Sequence, residues 1–119
     1  MSDGRIEESK DEIRLKVMRI LEVDPSISQR DLAKRIGISL GSVNYCVKAL
    51  AGKGYVKFSR FKKAKSKSGY AYLLTPAGAR EKAKITVRFL SRKKREYEAL
   101  VAEIDTLEEE LRRENPVLK

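Results

Sequence analysis

The most constraining feature of this sequence is the stretch from Ser28 to Gly54, where helix starts and stops follow one another too closely for free arrangement. Ser28-Gln29-Arg30-Asp31 has the form of a capping box, with Ser28 as N-cap and an acid three residues later. A short helix follows with Leu32 and Ile36 facing inward, and Gly37 supplies the left-handed residue that ends it. Only Ile38 intervenes before Ser39, which caps a helix running from about Leu40 to Lys53, with Gly54 as its stop. Two helices joined by so short a turn containing Gly form a helix-turn-helix pattern.

The second of these helices has two unlike faces. Val43, Val47 and Leu50 make a buried stripe flanked by Cys46 and Ala49. Gly41, Ser42, Asn44, Tyr45 and Lys48 then point away from the core. An unpartnered surface helix ordinarily carries long charged residues there. A face of small, hydrogen-bonding residues suits close approach to a groove.

The flanks complete a pattern. Upstream, residues 6–23 read as a helix with Ile13, Val17, Ile20 and Leu21 on its apolar face, stopped at Asp24-Pro25. Downstream, Tyr55–Phe61 and Tyr70–Thr75 read as the strands of a hairpin, with Tyr70 and Tyr72 as packing residues. The connecting loop carries Lys62, Lys63, Lys65 and Lys67 with no acid to pair them. From Lys53 to Lys67 there are seven basic residues and no acidic one, which points to phosphate contact.

Thr75-Pro76 is a helix start, Thr as N-cap and Pro at the first helical position. The pattern stays helical as far as Asn115-Pro116, a length of about 58 Å at about 1.5 Å per residue. Its later half sets Tyr97, Leu100, Ile104, Leu107 and Leu111 at alternating spacings of three and four, the a/d signature of a coiled-coil seam. Phe89 and Leu90 extend the stripe toward the chain's first half. Five large apolar residues left exposed on one helix would be a liability, so pairing with a second copy is expected, the alternative being that the stripe packs back on the chain's own first helix. The fold class expected is mainly α with a small β-hairpin: a winged helix-turn-helix in residues 1–78, then a long coiled-coil-like helix for dimerisation in 79–119.

Charge sharpens the picture. The net charge of +10 divides into +15 over residues 1–95 and −5 over residues 96–119. A basic body with an acidic end suggests a polyanionic partner. With no His and one Cys, an internal disulfide and a zinc site are both excluded, and the commonest general base is missing. There is no Gly-rich phosphate loop, carboxylate pair or nucleophile motif, so neither catalytic residues nor cofactor nor metal are expected. No apolar run reaches the roughly 20 residues of a membrane span, and no apolar segment of a signal peptide follows Met1–Gly4. A reducing cytoplasm is the expected setting. Cys46 reads as a buried structural thiol, since nothing near it in sequence lowers its pKa.

The run ISQRDLAKRIGISLGSVNYCVKALAGKGYVK, followed by YAYLLTPAGAREKA, resembles the MarR-type winged-helix transcriptional regulators. The likeness is nearest to the small bacterial subgroup associated with exopolysaccharide (EPS) gene clusters and covers about residues 13–95. Its most specific parts are Ser28–Ala33, Gly37-Ile38-Ser39 and Leu74-Thr75-Pro76-Ala77-Gly78. The family's wing carries an Asp-x-Arg element that Lys62–Lys67 lacks, and the chain is shorter than typical members. The resemblance therefore implies the fold and DNA binding, but neither a minor-groove arginine nor an effector pocket.

These readings converge on a homodimer that reads a pseudo-palindromic double-stranded DNA. The helix from Leu40 would enter the major groove, with Asn44 on an adenine edge, Ser42 and Tyr45 on bases or phosphates, and Gly41 allowing close approach. Lys48, Ser28, Gln29, Arg30 and Ser39 would face the backbone, and Arg60 with the wing lysines would add sequence-independent attraction. The alternatives are an RNA-binding winged helix, which calls for more exposed aromatics on a sheet face, and a protein-interaction module.

Overall fold

The computed structural model describes residues 2–60 and 70–114, with side chains from residue 9 onward. Six elements follow in order: α1 (Ser2–Val23), α2 (Gln29–Ile36), α3 (Leu40–Gly52), β1 (Val56–Arg60), β2 (Tyr70–Leu74) and α4 (Pro76–Glu114). The strands pair antiparallel with Val56 opposite Leu74 and Arg60 opposite Tyr70. This is the expected winged helix-turn-helix with a long C-terminal helix. Phe61, Asn115 and the wing lysines Lys62, Lys63, Lys65 and Lys67 lie outside the described residues.

The chain forms two compact units, Met1–Thr86 and Val87–Lys119. In the first, the capping signals work as the sequence implies. Ser28 Oγ accepts from the Asp31 amide at 3.1 Å, and Ser39 Oγ accepts from the Ser42 amide at 3.1 Å. Gly37 takes φ +82° and Gly54 φ +77°, the left-handed conformation in which a Cβ is strained. The core gathers Leu32 and Ala33 of α2, Val43, Cys46, Val47 and Leu50 of α3, Val56, Ala71 and Ile85, all buried.

Packing corrects two expectations. On α1 the buried residues are Leu15, Val17, Met18 and Leu21, whereas Ile13 and Ile20 are only half-buried. The true inward face is turned by about 100°, roughly one residue's rotation, from the stripe read off the sequence. The reason is that α1 touches α2, α3 and β2 at once, so a wide arc is covered. Asp11, inside that arc and buried, holds Arg14 at 3.1 Å. Ile36, expected to face inward, is likewise half-buried at the end of its short helix.

The Leu74-Thr75-Pro76-Ala77-Gly78 segment fastens α4 to the body. Thr75 Oγ1 accepts from the Gly78 amide at 3.0 Å, and donates to the Gly54 carbonyl at 2.6 Å. Gly78 sits directly on the Tyr55 carbonyl, in a space with no room for a Cβ. The second unit is helical as far as Glu114, and the side chains of Tyr97, Leu100, Ile104, Leu107 and Leu111 are exposed along it.

Candidate nucleic-acid interface

The outward face of α3 is built as its sequence spacing implies. With Val43, Val47 and Leu50 fully buried, the helical repeat turns Gly41, Ser42, Tyr45 and Lys48 to solvent. Tyr45 is 73 % exposed, so its ring does not cap the core. Ser39 Oγ donates to Ser42 Oγ at 2.9 Å, which orients Ser42 while leaving its own proton free to be offered outward. Ser28 and Gln29 are half-buried at the start of α2, and Arg30 beside them is exposed. Arg60 is exposed at the end of β1.

Asn44 is the least free of these residues. It is half-buried, and its Nδ2 donates to Gln29 Oε1 at 3.1 Å. The Gln29 Nε2 in turn donates to the Tyr72 hydroxyl at 3.4 Å. Three elements are thus stitched by two amides and a phenol. Both ends of the Gln29 amide are engaged, which suits it to holding Asn44 in place. One Nδ2 proton and Oδ1 of Asn44 remain, the donor and acceptor that an adenine edge requires.

Tyr72 has a second set of neighbours. Phe58, Tyr70 and Tyr72 form a triangle with centroids 5.5–5.6 Å apart and rings tilted or edge-on. Tyr70 and Tyr72 are half-buried in this cluster, while Phe58 is 47 % exposed.

Sequence reasoning missed a basic rim beside α3. An open groove of about 700 Å³ runs between α1 and α3, bordered by Lys10, Arg14 and Lys53 together with Ser42 and Tyr45. The signal was available in the four-residue spacing of Lys10 and Arg14, but their side of α1 depended on its rotation. Cys46 also borders this groove. Burial pushes its thiol above the ordinary range, with the Arg14 guanidinium pulling the other way. Among the described residues no cluster of His, Cys, Asp and Glu could hold a metal, and no helix is long and apolar enough to cross a membrane.

An exposed, small-faced second helix beside a two-stranded hairpin defines a winged helix-turn-helix. Residues 10–57 match the family model described as winged helix-turn-helix DNA-binding. Among solved structures, the PcaV transcriptional regulator from Streptomyces coelicolor is similar at a TM-score of 0.61 and 20% identity, over 89% of this chain and 77% of its own. A MarR-family transcriptional regulator from Rhodococcus sp. RHA1 gives 0.57 at 17% identity, over 83% of this chain and 70% of its own. FabT from Streptococcus pneumoniae, solved in complex with DNA, gives 0.51 at 18% identity, over 89% and 76%. At such identities the likeness is one of fold. No curated protein matches the chain in sequence.

Proposed function

We propose that this chain is a MarR-type transcriptional regulator, nearest in motif to the EPS-associated subgroup, that binds specific double-stranded DNA in the cytoplasm as a homodimer. The observation that carries the reading is the outward face of α3, where Ser42 and Tyr45 are exposed, half-buried Asn44 is held beside them by Gln29, and none of the three carries a long charged side chain. Support comes from fold neighbours that are transcriptional regulators, one of them solved on DNA. The work divides between a reading head, residues 1–78, and a pairing helix, residues 79–119.

In this mechanism Asn44 reads an adenine, and Ser42 and Tyr45 contact neighbouring bases or phosphates. Lys48, Arg30 and the α2 N-terminus hold the backbone. Arg60 and the wing lysines add nonspecific attraction. If about six phosphates are neutralised per half-site, log affinity falls with log salt at a slope of about −5. Two heads joined through α4 read half-sites about 10 base pairs apart, or a multiple of that. The acidic end of α4 is repelled by DNA, which leaves the basic surface as the docking face.

The test is an electrophoretic shift of the full chain on fragments of its own genomic neighbourhood. Tight binding to one fragment, weakened by Asn44→Ala and by Tyr45→Ala, is the expected result. Equal affinity for random duplex DNA at physiological salt would sink the claim of specificity. Light scattering at micromolar concentration checks the dimer, and a monomer there would refute pairing through α4.

A further inference from the structure

We infer that the second copy docks antiparallel on the exposed stripe of α4, so that the basic half of each helix lies along the acidic half of the other. This rests on the homodimer reading above and adds the orientation, which neither the fold nor the stripe alone decides.

The first ground is the segregation of charge along the second unit. From Arg88 to Arg95 there are five bases and no acid; from Glu96 to Glu110 there are seven acids and no base. Within the helix, Lys93 meets Glu96 at 3.1 Å where the sign changes. Only residues three or four apart can meet in this way, so most of both blocks lies out of each other's reach. At physiological salt, attraction between exposed charges fades beyond about 8 Å, so what lies directly alongside decides the energy. A parallel pair sets bases along bases and acids along acids. An antiparallel pair sets each against its opposite.

The second ground is the identity of the residues in the seam. With Tyr97 at a, Leu90 is also an a residue and the intervening d position is Lys93. In a parallel pair, Lys93 faces its own copy across the seam and Glu103 faces Glu108. An antiparallel pair with a facing d places Leu90 opposite Leu107 and Tyr97 opposite Leu100. It places Lys93 opposite Ile104, whose sequence neighbours are Glu103 and Asp105. The lysine stem then covers an apolar side chain while its ammonium reaches toward carboxylates. One like-charge juxtaposition is left, Glu96 near Glu103, against a whole basic block facing an acidic one. All four of Leu90, Tyr97, Leu100 and Leu107 are more than half exposed in the single chain, so the seam is available.

Two single-thiol variants of the full chain test the orientation, both in a Cys46→Ala background that removes the native thiol. Leu90→Cys and Leu107→Cys, one carrying a mass tag, are mixed, allowed to exchange and mildly oxidised. The mixed disulfide is expected as the main product. Homodisulfides as the main product would overturn the antiparallel arrangement while leaving the dimer reading intact. No disulfide together with a monomer by light scattering removes both, with the DNA shift still judging the reading head. Spin labels on Leu107→Cys give an independent measurement. Equivalent residues lie about 26 Å apart along an antiparallel pair in this register but within about 10 Å, the helix spacing, in a parallel one. A short distance overturns the inference even if oxidation fails.

Discussion

Gly78 offers a decisive test of how α4 is fastened, because its replacement by alanine has opposite signs under two descriptions of the site. If position 78 were an ordinary helical residue, Gly78→Ala would stabilise the fold by about 0.4–1 kcal/mol through a stiffer unfolded chain. In the structure, a Cβ there would overlap the Tyr55 carbonyl oxygen and stand 2.9 Å from Leu74 Cδ1. That carbonyl cannot step aside cheaply, since it accepts from the Thr75 amide at 3.0 Å and, at 3.2 Å, shares with the Gly54 carbonyl the one proton of the Thr75 hydroxyl. Separating α4 from Tyr55 forfeits the amide bond at about 1 kcal/mol and the shared hydroxyl bond at up to about 1 kcal/mol. It also weakens the Thr75 cap by about another 1 kcal/mol. Alanine's better helix propensity offsets roughly 1 kcal/mol, leaving a net destabilisation of up to about 2 kcal/mol. For a unit of this size the full amount lowers the melting temperature by about 8–16 °C. Thermal and urea unfolding followed by far-ultraviolet circular dichroism read the change directly. Thr75→Ala, which removes the cap and hydroxyl bonds without adding bulk, should destabilise as well, by about 1–2 kcal/mol. A Gly78→Ala midpoint equal to or above the wild type would refute the close seat on Tyr55.

Other consequences can be checked in the same assays. Because burial raises the Cys46 pKa in the folded chain, its contribution to stability is fully present below the unfolded thiol value of about 8.5 and is lost as pH rises above it. The difference in unfolding free energy between wild type and Cys46→Ala should therefore shrink from pH 7 to pH 10, and a pH-independent difference would contradict the burial. Ile85→Ala should cost about 2–5 kcal/mol, as for a core side chain, because Ile85 is fully enclosed; a loss under 1 kcal/mol in urea unfolding would argue that the start of α4 does not belong to the core. Gln29→Ala strands the Asn44 amide and the Tyr72 hydroxyl. It is expected to cost about 1 kcal/mol, the low end for half-buried partners, and to blur base preference in the DNA shift more than Arg30→Ala does. Lys82→Ala, which breaks a 2.9 Å pair with a half-exposed Glu22, should change stability by less than about 1 kcal/mol.

What could be read from the sequence was what local chemistry controls. Ser28, Ser39 and Thr75 announce helix starts because a side-chain oxygen and an amide three residues on belong to the same short segment. Gly37 and Gly54 announce stops because positive φ is a property of one residue. The α3 stripe of Val43, Val47 and Leu50 was legible because one side of that helix is covered and the other is open. The α1 face was misjudged because that helix is wrapped by three neighbours, and its apolar residues form an arc too wide to have an obvious centre. Leu15 and Met18 are buried where the pattern pointed to Ile13 and Ile20.

The candidate site divides along the same line. Gly41, Ser42, Tyr45 and Lys48 follow from helical periodicity alone. That Asn44 is held by Gln29 and, through it, by Tyr72 does not, since these residues are 15 and 43 positions apart along the chain. The order of the helices and hairpin and the caps that delimit them are set by residues within a few positions of one another, and the opposed charges of the two halves are plain in the residue order. Which side of α1 is inward, what holds Asn44 and why residue 78 must be glycine emerge only once the elements pack together. Each of those depends on which distant surfaces meet, and no local pattern records that.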